Sequence, residues 1–389
     1  MKHVYRVLVP ALAIAVSVVA ATAVRADDGD PGQQPNRYVV TALVSDIPIS
    51  GMSPTIDPVL QNAWGVAFSP AASPFWISDN ATGCETLYGG DGVKVTTLQV
   101  SIPLPGNVVP ATSCKTVDPN HPPTNAAPTG VIWNPSSLFV VPGTTIQAAF
   151  IFDTEDGTLS AWAGGLTHNP TNAVIAVDNS ATGAVYKGLA VGVNVRGVFL
   201  FATNFNTGTV DVFGPNGPDG HFTAVTTDGG FIDPDIPAGF APFGIENIDG
   251  DLFVTYAKQN AHKHDDVAGP GNGFVDVFDT DGHFLRRFAS RGPLNSPWGV
   301  TRASFAFGRF SGDILVGNFG NGKINVFDSQ GRIIDELDRA DGKTLVIDGL
   351  WKLTLGGGRA SSSDTLFFTA GPNGEKDGLF GTITPVSGK

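Results

Sequence analysis

"GFVDVFDTDGHFLRRF", residues 273–288, is an alternating run interrupted at Asp281-Gly282 and resumed as a second β-like run. A Gly-containing turn between two such runs predicts a β-hairpin. The stretch "GKINVFDSQGRIIDEL", 322–337, repeats the arrangement about 50 residues later, with Gln330-Gly331 at the turn. Phe and Val on successive positions of "FVDVFD" suit a strand covered on both faces by neighbouring sheets.

Working outward from these hairpins, a short apolar block containing glycine precedes each unit. It reads "WGVAF" at 64, "TGVIW" at 129, "KGLAV" at 187, "FGIEN" at 243, "WGVTR" at 298 and "DGLWK" at 348, aligning Gly65, Gly130, Gly188, Gly244, Gly299 and Gly349. Four short strands in each of six units predict an all-β, six-bladed β-propeller. The last unit stops after its third strand, so the segment "RYVVTALVSD" at 37–46 is expected to supply the missing outer strand, with Tyr38 to Val44 closing the ring and covering an open edge. Glycine in the blocks suits a crowded inner strand.

Lys2, His3 and Arg6 precede an apolar run from Val7 to Val24, and Val24-Arg25-Ala26 precedes Asp27. This pattern predicts a signal peptide over 1–26, then a short flexible segment over 27–37 and a single propeller over 38–386. An uncleaved anchor is the alternative reading of the apolar run. The mature protein is therefore expected in the periplasm or outside the cell, without a transmembrane segment and as a monomer. With 36 acidic against 23 basic residues and a net charge of −13, the chain is a poor partner for nucleic acid or anionic lipid and is compatible with cations.

In this fold the loops joining strands b and c of each blade share a face with those joining d to the next a. An aligned polar column occupies the b–c loops: Asp79, Asp153, Asn204, Tyr256 and Asn318, with Ala370 in the last unit. Turn capping is the simple account of Asp and Asn there, and ligand binding the alternative. The two cysteines, Cys84 beside one b–c loop and Cys114 within the long d–a connection 103–130, are expected to form a disulfide on that face, or else to be two separate buried thiols.

The patterns "GxVxVFDxxG", "NAWGVAF", "SDNATG", "KHDDVAGPGNGFVDVFD" and "PWGV" resemble NHL-repeat and lactonase-like six-bladed propellers, and more closely an uncharacterised family of exported bacterial proteins. The resemblance spans the mature chain and implies fold and export. Some related propellers are calcium- or zinc-dependent lactonases with a channel metal held by Glu, Asn and Asp; Glu246, in "FGIENI", is the carboxylate of this chain in an inner-strand block, with Asn204, Asn318 and Asp79 as further donors.

The fourth unit departs from the others by an insertion, "YAKQNAHKHDDVAGPGNG" at 256–273. His262, His264, Asp265 and Asp266 form a candidate metal set: imidazole and carboxylate suit Zn²⁺, whereas Ca²⁺ would draw on the Asp residues and backbone carbonyls. An extended H-x-H would point both rings the same way. Lys258 could instead pair with Asp265 or Asp266 and make the insertion a structural lid. "GPGNG" lacks the helix and Lys-Ser/Thr of a phosphate loop, and no G-x-S-x-G elbow is present. Trp64, Trp298 and Trp351 could line a binding mouth or pack between blades. The leading expectation is an exported propeller that binds a small ligand or protein on its b–c loop face, with Asp79, Asp153, Asn204, Tyr256, Lys258, Asn318 and Glu246 as contacts. A metal-dependent hydrolase or lactonase with a channel metal and a cell-envelope scaffold are the alternatives.

Overall fold

A computed structural model describes residues 34–71, 73–216 and 220–386. Residues 1–33, which include the expected signal peptide over 1–26, lie outside the described residues. Six sheets radiate from a common centre. The first runs outward through Ala63–Ala67, Phe75–Asp79, Cys84–Tyr88 and Val100–Ser101. The remaining inner strands are Pro128–Trp133, Tyr186–Asn194, Phe240–Ile248, Pro297–Arg302 and Leu350–Leu355. Each inner strand packs against the next, and the sixth returns to the first. The protein is a closed six-bladed β-propeller.

Apolar side chains on both faces of the middle strands interlock between blades. Trp76 of the first blade stacks on Phe150 of the second at 4.2 Å and meets Trp162 at 4.8 Å. Such contacts explain why these strands are buried throughout, as in Gly273–Phe278.

Closure is made by Tyr38–Ser45, antiparallel to Leu379–Pro385, with Tyr38 opposite Pro385 and Ser45 opposite Leu379. A short strand, Thr55–Ile56, adds a fifth member to this sheet. Tyr38 is buried; its ring stacks on Phe307 at 4.7 Å, and its hydroxyl donates to the Phe307 carbonyl at 3.0 Å. It thereby joins the outer strand of the last blade to the blade before it.

Cys84 and Cys114 are disulfide-bonded. Beyond Cys114 the long connection crosses the b–c loop face. Val117 and Gln61 exchange two hydrogen bonds, at 3.1 and 3.3 Å, and Asn120 accepts one from Lys376 of the sixth blade at 3.0 Å.

Two alignments shift once the strands are in register. The structural counterpart of Gly65 in the last blade is Lys352, not Gly349: the irregular pairing there falls between Leu350 and Leu353, whereas Gly349 has a positive φ of 64° and ends the preceding loop. In the second blade Thr154, not Asp153, lies opposite the start of the inner strand, because that b–c turn is one residue shorter.

Two stability outcomes follow. Tyr38→Ala should cost about 3–5 kcal/mol in chemical denaturation, since it empties a buried aromatic site at the closure; a loss below about 1 kcal/mol would mean the closing strand contributes little there. The disulfide spans 30 residues, and its removal by Cys84→Ser/Cys114→Ser should cost about 3–4 kcal/mol. Intact mass with and without reductant checks the bond directly, and two free thiols in protein purified under oxidising conditions would exclude it.

Candidate functional site

All six inner strands are out of register with their b strands at one level, the breaks falling around Trp64-Gly65, Thr129-Gly130, Lys187, Phe243-Gly244, Trp298-Gly299 and Trp351-Lys352. At this level each blade meets the next most tightly. A Cβ on Gly65 would lie 2.5 Å from the Thr129 carbonyl oxygen, and one on Gly244 would lie 2.1 Å from that of Trp298. Hydroxyls from b strands take up some of the displaced groups: Thr203 Oγ1 donates to the Phe243 carbonyl at 2.7 Å, and Thr255 Oγ1 accepts from Gly244 N at 2.8 Å.

The breaks bring side chains from different blades together on the axis. Trp64 stacks on Trp351 at 3.5 Å, Trp298 meets both edge-on, and Phe243 meets Trp351 at 5.9 Å. These four rings are buried and plug the channel. The tryptophans expected either to line a mouth or to pack are packing residues. Lys187 is the charged member of this layer. It is 2% exposed, and its Nζ lies 5.3 Å from the centre of the Trp64 ring.

Over the plug, loops of several blades converge on Lys187. Its ammonium pairs with Glu155 of the second blade and lies 3.8 Å from Asp265 in the fourth-blade insertion. Glu155 accepts from Asn80 Nδ2 at 3.0 Å, Asn80 accepts from Asn62 at 3.2 Å, and Asn62 Nδ2 also donates to Glu375 of the sixth blade at 2.9 Å. Trp351 Nε1 donates to Asn62 Oδ1 at 3.2 Å, tying this network to the plug. His264 Nδ1 is 2.8 Å from Asp265 Oδ1. Glu155, His264 and Asp265 present ligand atoms that all lie within 4.8 Å of one another.

Burial, then the charge of Glu155, pushes Glu375 up to about 7. Burial also raises Asp266, whose Oδ2 has no hydrogen-bond partner. The contact between His264 and Asp265 raises the imidazole and lowers the carboxyl. Two carboxylates, Glu155 and Asp265, thus meet one buried ammonium, and Glu375 joins the same network through Asn62, an arrangement suited to positive charge.

The insertion delivers His264, Asp265 and Asp266 here, but His262 remains exposed and outside the donor group. The extended H-x-H geometry fails because Lys263 has a positive φ of 55° and Asn260 Oδ1 accepts from both His262 N and His264 N, curling the segment into a turn. Asp265 meets Lys187 and His264, whereas Lys258 is exposed on its strand end.

The polar column lies within the blades. Asn204 donates to Asp211 at 2.9 Å, and Asn318 donates to the Pro293 carbonyl at 3.0 Å. Asp153 Oδ1 accepts from Gly130 N at 2.5 Å and Thr129 Oγ1 at 2.9 Å, leaving Oδ2 buried without a partner. Asp79 and Tyr256 are likewise buried. Glu246 lies beyond the plug, paired with Lys352 across the channel, beside a cavity of about 260 Å³ lined by inner strands including Val66, Val131 and Leu189. It is therefore separate from the b–c loop cluster.

Sequence reasoning missed Lys187, Glu155, Glu375, Asn62 and Asn80. Lys187 carried a signal: with Trp351 in the sixth position, it is the charged residue in a column otherwise of Trp, Thr and Phe. The others sit in short loops without a repeating pattern.

The architecture and plug define a six-bladed propeller with a polar centre on one face. No protein-family model matches the chain. It is 30% identical over 336 residues to the uncharacterized protein R648 of Acanthamoeba polyphaga mimivirus, covering 84% of this chain and 76% of that one. It is 31% identical over 338 residues to the uncharacterized protein L690 of the same virus, covering 84% and 81%. The chain belongs to the family of these proteins. The exported bacterial family suggested by the motifs remains an expectation beside these viral relatives. Among solved structures, a Bacteroides thetaiotaomicron protein of unknown function matches with a TM-score of 0.50 and 10% identity, covering 89% of this chain and 76% of that one. A gluconolactonase from Xanthomonas campestris matches at 0.46 and 15%, covering 89% and 97%. These likenesses concern the fold alone.

The buried acids give a pH dependence of definite sign. Asp153 and Glu375 are pushed up to about 7 and Asp46 to about 6, chiefly by burial. The folded chain therefore holds protons that the unfolded chain releases above about pH 4, so stability falls as pH rises toward 8. The raised His264 acts in the same direction. The melting temperature should drop by several degrees from pH 5.5 to 8. Asp153→Asn retains an acceptor for Gly130 and should flatten the decline; an unchanged slope would remove Asp153 as a contributor.

Proposed function

We propose that the protein is an exported propeller that binds a small polar ligand at the centre of its b–c loop face. The observation that carries this reading is the convergence of loops from several blades on buried Lys187. Burying an ammonium among carboxylates is costly unless each is well placed, and such a cluster is seldom the cheapest way to stabilise a core. Its position at the ring centre, where loops can vary over a rigid scaffold, favours recognition. Export is supported by the leader pattern and by the Cys84–Cys114 bond. Among the described residues, no helix is long and apolar enough to cross a membrane.

A hydrolase using Glu246 has weaker support, because that carboxylate is engaged by Lys352 on the far side of the plug. The network supplies groups able to move protons, notably Glu375, but no nucleophile-and-base pair is evident among the described residues.

A thermal-shift screen of amines, sugars, lactones and divalent cations tests the reading. Hits should raise the melting temperature of wild type and lose most of that effect in Glu155→Gln, with circular dichroism checking that the variant folds. Equal shifts in both proteins would place binding elsewhere, and a screen without hits would favour a scaffold in the cell envelope.

A further inference from the structure

We infer that Glu155, His264 and Asp265 form a divalent transition-metal site, with Zn²⁺ as the best-matched ion. This rests on the b–c loop face being the binding face and names the chemistry of its ligand. The three residues come from two blades, so the site is a product of ring closure rather than of the insertion alone. Imidazole with two carboxylates is a donor set that favours Zn²⁺ over Ca²⁺ or Mg²⁺, which prefer oxygen throughout.

Around tetrahedral Zn²⁺, with bonds of about 2.0–2.1 Å, donor atoms are about 3.4 Å apart. The ligand atoms, within 4.8 Å of one another, need draw together by only about an ångström and a half. That movement is available because His264 and Asp265 are exposed on a turn, whereas Glu155 is held by Asn80. Lys187 occupies the cationic position against Glu155 and Asp265. Metal binding at these donors therefore requires the Lys187 ammonium to give up those two contacts.

A second observation points to a missing occupant. Trp64 is 2% exposed, lies beneath Lys187, and has an indole N–H with no acceptor. The indoles of Trp298 and Trp351 both have acceptors, the Lys187 carbonyl and Asn62 Oδ1. A buried donor left without a partner is costly, and a ligand or water brought in with the metal would supply one.

The test is titration calorimetry of the full-length chain with ZnCl₂ after treatment with EDTA, alongside CaCl₂. One Zn²⁺ should bind, at least about tenfold more weakly in His264→Ala, and with unchanged affinity in His262→Ala. His264 is exposed, so this variant should fold, and its melting temperature in metal-free buffer checks that. The proposal is overturned by absence of Zn²⁺ binding, by equal affinity in His264→Ala, or by preference for Ca²⁺. If Zn²⁺ fails while organic hits still depend on Glu155, ligand binding at this face survives without the metal; if both fail, neither reading stands.

Discussion

The tight approach of each inner strand to the next blade is the constraint on which the rest of the structure depends. Where a Cβ on Gly65 would meet the Thr129 carbonyl, and one on Gly244 that of Trp298, the ring has no spare radius. A side chain at either position would push two blades apart at the axis, and six blades must close together. The register breaks at this level accommodate the contact, with Thr203 and Thr255 satisfying backbone groups that leave the ladder.

The same breaks decide where function can reside. They project Trp64, Phe243, Trp298 and Trp351 onto the axis, filling the channel with a buried aromatic layer. The channel is thereby divided: Glu246 and Lys352 lie on one side, and Glu155, His264, Asp265 and Glu375 on the other. Lys187 links the layers, being at once a member of the plug and the cation around which the loops gather. Burial beside this apolar floor, and then the charge of Glu155, push Glu375 up to about 7.

The fold was legible because β-propeller physics repeats. Glycine in an apolar block and a Gly-containing hairpin recur along the chain, the last unit alone is incomplete, and Tyr38–Ser45 lies where that unit required a strand. The site was legible only in part. The fourth-blade insertion drew attention to His264 and Asp265, but extended geometry assumed for His262 was undone by the left-handed Lys263. The polar column was visible as a pattern, yet a pattern shared by most blades reflects a shared structural need, and Asn204, Asn318 and Asp153 spend their hydrogen bonds inside their own blades.

Local order in the chain, read from periodicity and turn chemistry, was enough to establish the blades, their number and the closing strand; it left Cys84 and Cys114 either paired or as two separate thiols, and the tertiary structure joins them. Which side chains meet at the axis was decided by closure of the ring. Asn62, Asn80, Glu155, Lys187, His264 and Glu375 are scattered over more than 300 positions of the chain, and no local rule relates them. They become neighbours because six blades share one axis, so that residues far apart in sequence are placed side by side wherever their loops reach the centre.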